Sequence, residues 1–231
     1  MPKIRRCLGP RIWLLAGLTL GSAATLRAQA GPVISGRLTM RDRDERPAAD
    51  VDQAVIWLTG AKAPMGVADT VEMATENKQF VPHLLVLARG STVTFPNHDP
   101  FNHNVFSLSP EGAFDLGLYG RGGAKSMSFE RAGVIRVFCN VHAQMRGLVV
   151  VQETALFTQP GADGAFRLEQ VPPGEYVLHA WHERAAEVTL PIRVTAAALQ
   201  PVAVSLDARG YRFVQHRDKE GKSYSDRSRR Y

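Results

Sequence analysis

Cysteine is almost missing from this chain. Of 231 residues only Cys7 and Cys139 carry a thiol, and acids are missing altogether from residues 1–30. That opening stretch sets Lys3, Arg5, Arg6 and Arg11 ahead of an apolar run from Ile12 to Leu20, then closes on Leu26-Arg27-Ala28-Gln29-Ala30. A basic start, a short apolar centre and small residues at 28 and 30 are the three parts of a secretory signal, so residues 1–30 are expected to be removed on export to a periplasm. The competing reading, a membrane anchor, needs about 20 apolar residues. Gly17, Thr19, Gly21 and Ser22 dilute the stretch, and no integral membrane span is expected after cleavage. Removal of Cys7 leaves Cys139 without an intramolecular disulfide partner in an oxidising compartment. An isolated thiol there needs another explanation.

The excess of positive charge is thinner than it looks. The formal net charge is +6, but the signal carries five bases and no acid, so the mature chain stands at +1. Eight bases and three acids gather in residues 209–231, leaving about −4 over 31–208. The central chain has no basic patch interleaved with aromatics, which argues against a nucleic-acid partner. Residues 209–231 read as a solvated, disordered basic tail.

Amphipathic helical periodicity is also missing. Short runs of Val, Ile, Leu and aromatics separated by Gly, Pro, Asn and Asp predict strands at 33–40, 54–58, 71–74, 84–88, 92–95, 104–107, 126–129, 133–138 and 148–152. Further strands are predicted at 165–169, 174–181, 188–194 and 202–206. This regular spacing favours an all-β fold of Greek-key sandwiches. The segment around Asp115, Tyr119, Arg121 and Gly122-Gly123 reads as a turn.

In the C-terminal third, Asp163-Gly164 supplies a hairpin turn and Pro172-Pro173-Gly174 forces the next reversal before the strand Tyr176-Val177-Leu178. Residues 153–208 resemble the carboxypeptidase-regulatory-like domain, a small transthyretin-like β-sandwich, through the patterns D-G-x-F and V-P-P-G-x-Y. The opening pattern of that family reappears upstream as Ile34-Ser35-Gly36, Pro47-Ala48 and Ala54 to Leu58. Residues 31–70 are therefore expected to complete the second sandwich, with 71–152 inserted; the alternative is that 31–70 extend the inserted domain.

Chemistry concentrates in Phe138-Cys139-Asn140-Val141-His142-Ala143-Gln144-Met145-Arg146-Gly147, between two apolar strands. One loop can turn a thiolate, an imidazole and a thioether toward a point, and His103, at the start of another strand, offers a second imidazole. Two His, one Cys and a weak Met form the donor set of an electron-transfer copper site. Zinc is the competing metal, though it seldom takes a thioether. His98 competes with His103 but lies in the turn Asn97-His98-Asp99-Pro100. His83, His179 and His182 read as structural or exposed, with His179 and His182 spaced to trap a stray ion.

Thr92-Val93-Thr94-Phe95-Pro96-Asn97, His103-Asn104-Val105-Phe106 and the Cys139 to Gly147 loop resemble the plastocyanin and amicyanin branch of the cupredoxins, over residues 71–152. Two residues between His142 and Met145 are similar to amicyanin, whereas plastocyanins commonly have four; Ala143 replaces amicyanin's proline, so a less rigid loop is expected. The resemblance implies one copper ion held by His103, Cys139, His142 and Met145, with the Asn104 side chain tying the two ligand loops together. It also implies an electron port at His142 ringed by Pro100, Phe101, Ala143 and Met145. A monomeric electron carrier, not an enzyme, is expected, exchanging electrons with a redox partner such as a periplasmic dehydrogenase or cytochrome c. Copper storage or delivery, or an adhesion-type binding module, is the alternative. A copper enzyme needs further histidine clusters, and the seven histidines form no His-x-His set.

Overall fold

The computed structural model describes residues 32–195 and 200–224; the expected signal peptide lies outside the described residues. The described chain is all-β. It opens with β1 (Ile34–Arg41), β2 (Val55–Thr59), β3 (Thr70–Glu72), β4 (Ala74–Glu76), β5 (Gln79–Val81) and β6 (Leu84–Ala88). Next come β7 (Thr92–Pro96), β8 (His103–Ser107), β9 (Phe114–Tyr119), β10 (Ala124–Ser128), β11 (Gly133–Cys139) and β12 (Arg146–Gln152). The last are β13 (Phe157–Thr158), β14 (Ala165–Leu168), β15 (Gly174–His182), β16 (Ala185–Val194) and β17 (Val202–Asp207). Among the described residues no helix is long and apolar enough to cross a membrane.

One sandwich draws on both ends of the chain. A sheet ordered β14-β1-β17 faces a sheet ordered β13-β2-β15-β16. Alternation along β1 turns Ile34, Leu38 and Met40 inward, where they meet Ile56 and Leu58 of β2, Phe166 and Leu168 of β14, and Leu178 of β15. Burying each such side chain contributes about 1.5–3 kcal/mol. Gly164 adopts φ +79° in the Asp163-Gly164 turn, and a Cβ there would fall 2.0 Å from the Leu38 carbonyl oxygen, so any side chain is excluded.

The middle of the chain builds the other sandwich, from a five-stranded sheet β6-β12-β11-β8-β9 and a three-stranded sheet β10-β7-β3, with the hairpin β4-β5 beside them. Phe95, Val105, Ile135, Val137, Val149 and Val151 are buried in its core. The unbroken apolar run of β12 has a direct cause: both its faces are covered. Val149 and Val151 enter this core, while Leu148 and Val150 join Leu84 of β6 and Val55 of β2 in a cluster with Trp57 and Trp181 that binds one sandwich to the other.

Two expectations are corrected. Phe114–Tyr119, read as part of a turn, is strand β9 at the edge of the five-stranded sheet, paired with β8 from His103↔Tyr119 to Ser107↔Phe114; the turn is confined to Gly120–Gly123. The basic tail, expected to be disordered, packs on the sandwich in its described part, residues 209–224, with Asp218 only 1% exposed. The Asp218 carbonyl and carboxylate close a tight turn onto the N–H groups of Gly221, Glu220 and Lys222. His216 stacks on Phe138 of β11 and the Tyr224 hydroxyl donates to the Cys139 carbonyl, a packing that the excess of charge outweighed in the sequence.

Candidate metal centre

Strand geometry explains how two sequence-distant donors meet. β8 and β11 run antiparallel with Cys139 opposite Val105, so His103, two residues before Val105, projects from the same face and lies diagonal to Cys139. β11 then turns into β12 through residues 140–145. The Met145 N–H donates to the His142 carbonyl at 3.0 Å and the Cys139 N–H to the Met145 carbonyl at 3.1 Å, curling the loop so that His142 folds back over the strand end.

The result is a three-donor cluster. Cys139 Sγ lies 3.6 Å from His103 Nδ1 and 3.7 Å from His142 Nδ1, and one ligand atom from each residue falls within 4.8 Å of the others. Cys139 and His103 are fully buried, while His142 is half-buried. Burial, followed by the neighbouring His103 and Lys78, lowers the His142 pKa and favours the neutral, lone-pair-bearing imidazole. The Val141 N–H points at Cys139 Sγ from 3.4 Å, a donor suited to a thiolate. Met145 is 1% exposed, within the same core as Cys139. The site is too small and too uniformly built of soft and borderline donors for Ca²⁺ or Mg²⁺, and it fits copper or zinc.

Asp99 was hidden in what the sequence presented as a plain turn. It is 5% exposed, and its Oδ2 accepts the His103 Nε2–H at 2.8 Å. This bond fixes the tautomer that leaves Nδ1 free to face Cys139. Asp99 is itself anchored by the N–H groups of Asn77 (2.8 Å) and Lys78 (2.9 Å), the two left-handed residues of the β4–β5 turn, with φ 53° and 59°. Burial weighs against its charge, yet those two N–H groups and His103 together hold the carboxyl below its ordinary range. Asn97 organises the same turn, accepting the Asp99 N–H at 2.9 Å and donating to the carbonyls of Phe101 and Tyr119.

The other candidate residues fall as follows. His98 is exposed and outside the cluster. The His83 ring contacts the Arg146 carbonyl and Glu183. His179 stacks on Trp57, with its nitrogens at Glu187 and Thr59, and the His182 nitrogens meet the Asp50 carbonyl and the Arg184 N–H; the pair forms no ion trap. Phe101 packs against both cluster imidazoles at 5.3 and 5.4 Å, beside exposed Pro100 and half-buried Ala143. Burial takes Met145 out of the exposed ring expected around His142.

Asn104 does not tie the ligand loops directly. Its amide donates to Asp115 at 2.6 Å in β9, and its oxygen is buried with no partner among the described residues. The tie runs instead through the C-terminal segment. Lys219 Nζ bonds Asp115 at 2.7 Å, and the Lys219 N–H donates to Asn140 Oδ1 at 3.1 Å. Partial burial disfavours the Asp115 charge, but Lys219, Asn104 and the Gly117 N–H outweigh it and bring the carboxyl down to about 2. Further along, the Tyr224 hydroxyl donates to the Cys139 carbonyl at 2.8 Å, and the His216 ring stacks on Phe138 at 4.2 Å.

No family model matches the sequence, and no curated protein matches it. Solved structures do align with part of it. A purple cupredoxin from Nitrosopumilus maritimus is 26% identical over 36% of this chain and 99% of its own, with a TM-score of 0.33. An oxidized amicyanin mutant is 27% identical over 42% of this chain and 99% of its own, with a TM-score of 0.34. A copper-containing nitrite reductase from Thermus scotoductus is 26% identical over 41% of this chain, with a TM-score of 0.35; the aligned part spans 24% of that enzyme.

Proposed function

We propose that the protein is an exported blue-copper electron carrier of the cupredoxin type, in which His103, Cys139, His142 and the weak donor Met145 would hold one copper ion. The observation that carries this reading is the convergence of one buried thiol and two imidazole nitrogens, at 3.6 and 3.7 Å from the sulfur. One thiol, two imidazoles and the thioether of Met145, buried in the same core, suit one-electron copper chemistry better than structural zinc, which seldom takes a thioether. A bound copper ion would supply a Cu(II)/Cu(I) couple.

The chain's own residues do the rest. Asp99 holds the His103 ring, the Met145 carbonyl and Tyr224 hold the Cys139 backbone, and Asn140 pins the loop to the C-terminal segment. Donors held in place from several sides change little with oxidation state, which favours fast electron exchange. The core around Cys139 excludes water, and the half-buried His142 edge beside Phe101 and Pro100 is the port for a redox partner, such as a periplasmic dehydrogenase or cytochrome c. The sandwich of β1, β2 and β13–β17 is read as a transthyretin-like module that positions the copper domain.

Titrating the mature protein with copper and recording its voltammogram tests this reading. One equivalent bound, with a reversible one-electron wave, is expected. Rapid loss of copper to a modest chelator and no reversible wave would instead identify a metal-delivery protein.

A further inference from the structure

We infer that the cavity between the C-terminal segment and strands β11 and β12 is a binding site for a phosphate monoester with an apolar body. The inference does not depend on the metal. The cavity measures about 400 Å³, within the range of small-molecule sites. Four arginines are among the residues that line it, Arg136, Arg146, Arg212 and Arg217, against a single acidic residue, Glu183.

Glu183 is already committed. It pairs with Arg146 at 3.1 Å and lies 3.6 Å from His83; burial opposes its charge, yet His83 and Arg146 keep its carboxyl below the ordinary range. Arg217 donates to the Gly221 carbonyl, a neutral acceptor, and has no ion-pair partner among the described residues. Arg136 and Arg212 have no ion-pair partner among the described residues. Three arginines around one concavity, without an ion-pair partner among the described residues, focus a positive potential there. Their planar donor forks match phosphate oxygens better than ammonium groups would.

The rest of the lining selects the body of the ligand. Phe138, Leu148 and Val214 give the cavity an apolar wall. A bare phosphate would leave that wall wet, whereas an aryl or alkyl phosphate covers it while presenting its dianion to the arginines. Position adds a consequence: Phe138 directly precedes Cys139 and stacks on His216, so an occupant would brace the segment that runs on to Tyr224.

Calorimetric titration of the full mature chain with phenyl phosphate, inorganic phosphate and phenol tests the proposal. Saturable binding of phenyl phosphate is expected, with both inorganic phosphate and phenol weaker. Arg136→Gln/Arg212→Gln should weaken phenyl phosphate by about tenfold or more. Arg212→Gln alone, at an exposed side chain, should weaken it by a smaller factor. Arg131→Gln/Arg193→Gln, with the same change in net charge away from the cavity, should leave it unchanged. Absence of saturable binding, equal binding of phenol, or equal loss in the control pair would overturn the proposal.

Discussion

Replacing Asp99 with Asn removes a negative charge from behind the His103 ring while keeping the side chain's shape. The carboxylate oxygen lies 2.8 Å from Nε2, and Nδ1 faces Cys139 on the opposite side of the ring. A charge held on that side is roughly 7 Å from the carboxylate, and at an effective dielectric of about 20 the interaction is about 2.4 kcal/mol. For a one-electron couple this corresponds to on the order of 100 mV. The anion favours the more positive, oxidised state, so Asp99→Asn should raise the reduction potential. A second effect is separable. The new amide NH₂ would oppose the Asn77 N–H that Asp99 now accepts at 2.8 Å, costing about 1–3 kcal/mol of folding stability. Redox titration reads the first effect and urea denaturation the second. An unchanged or lowered potential in a folded, copper-loaded variant would refute the role assigned to Asp99.

Three other perturbations follow from the geometry. Tyr224→Phe removes the bond to the Cys139 carbonyl and should cost about 0.5–1.5 kcal/mol in urea unfolding, with faster amide exchange across residues 139–145; exchange as slow as in the wild type would count against the strap. The Asp115–Lys219 pair sets a pH window. Because the folded carboxyl is brought down from 3.8 to about 2, its contribution is complete above about 4 and is lost as pH falls through that interval. Amide protection of residues 216–224 should therefore hold from neutrality to about pH 4 and decline below it; protection lost already near pH 6 would contradict the pairing. Leu84→Ala, in the cluster joining the two sandwiches, should cost about 2–5 kcal/mol, and a loss under about 1 kcal/mol would mean that the sandwiches are not packed as described.

Much of the fold was legible because turn residues punctuate it: Asp163-Gly164 and Pro172-Pro173-Gly174 mark reversals whatever surrounds them. β9 was not legible. Asp115 and Gly117 interrupt its apolar pattern, Gly117 takes φ 67°, Leu118 is 61% exposed, and its pairing with β8 is irregular between Asn104 and Phe106. An edge strand with one face in solvent need not alternate cleanly. The tail misled for a different reason. Eight bases dominate 209–231, but Tyr211, Phe213, His216 and Tyr224 are interspersed among them, and aromatics at that density are a signal against disorder.

At the site, the convergence of Cys139 and His142 was legible from spacing within a single loop, and that of His103 from its place at the start of a strand. Asp99 was not, because its meaning depends on N–H groups contributed by Asn77 and Lys78, about twenty residues earlier in the chain. The expected direct role of Asn104 failed on contacts that local spacing does not encode: Asp115 takes its amide, and Lys219 carries the tie onward to Asn140.

The visible absorption spectrum of the copper-loaded protein tests the central claim most directly. An intense thiolate-to-copper band is expected from the wild type, and none from Cys139→Ser. A wild-type protein that binds copper without such a band, or a serine variant that retains it, would contradict the assignment of Cys139 as the ligand of a blue-copper centre.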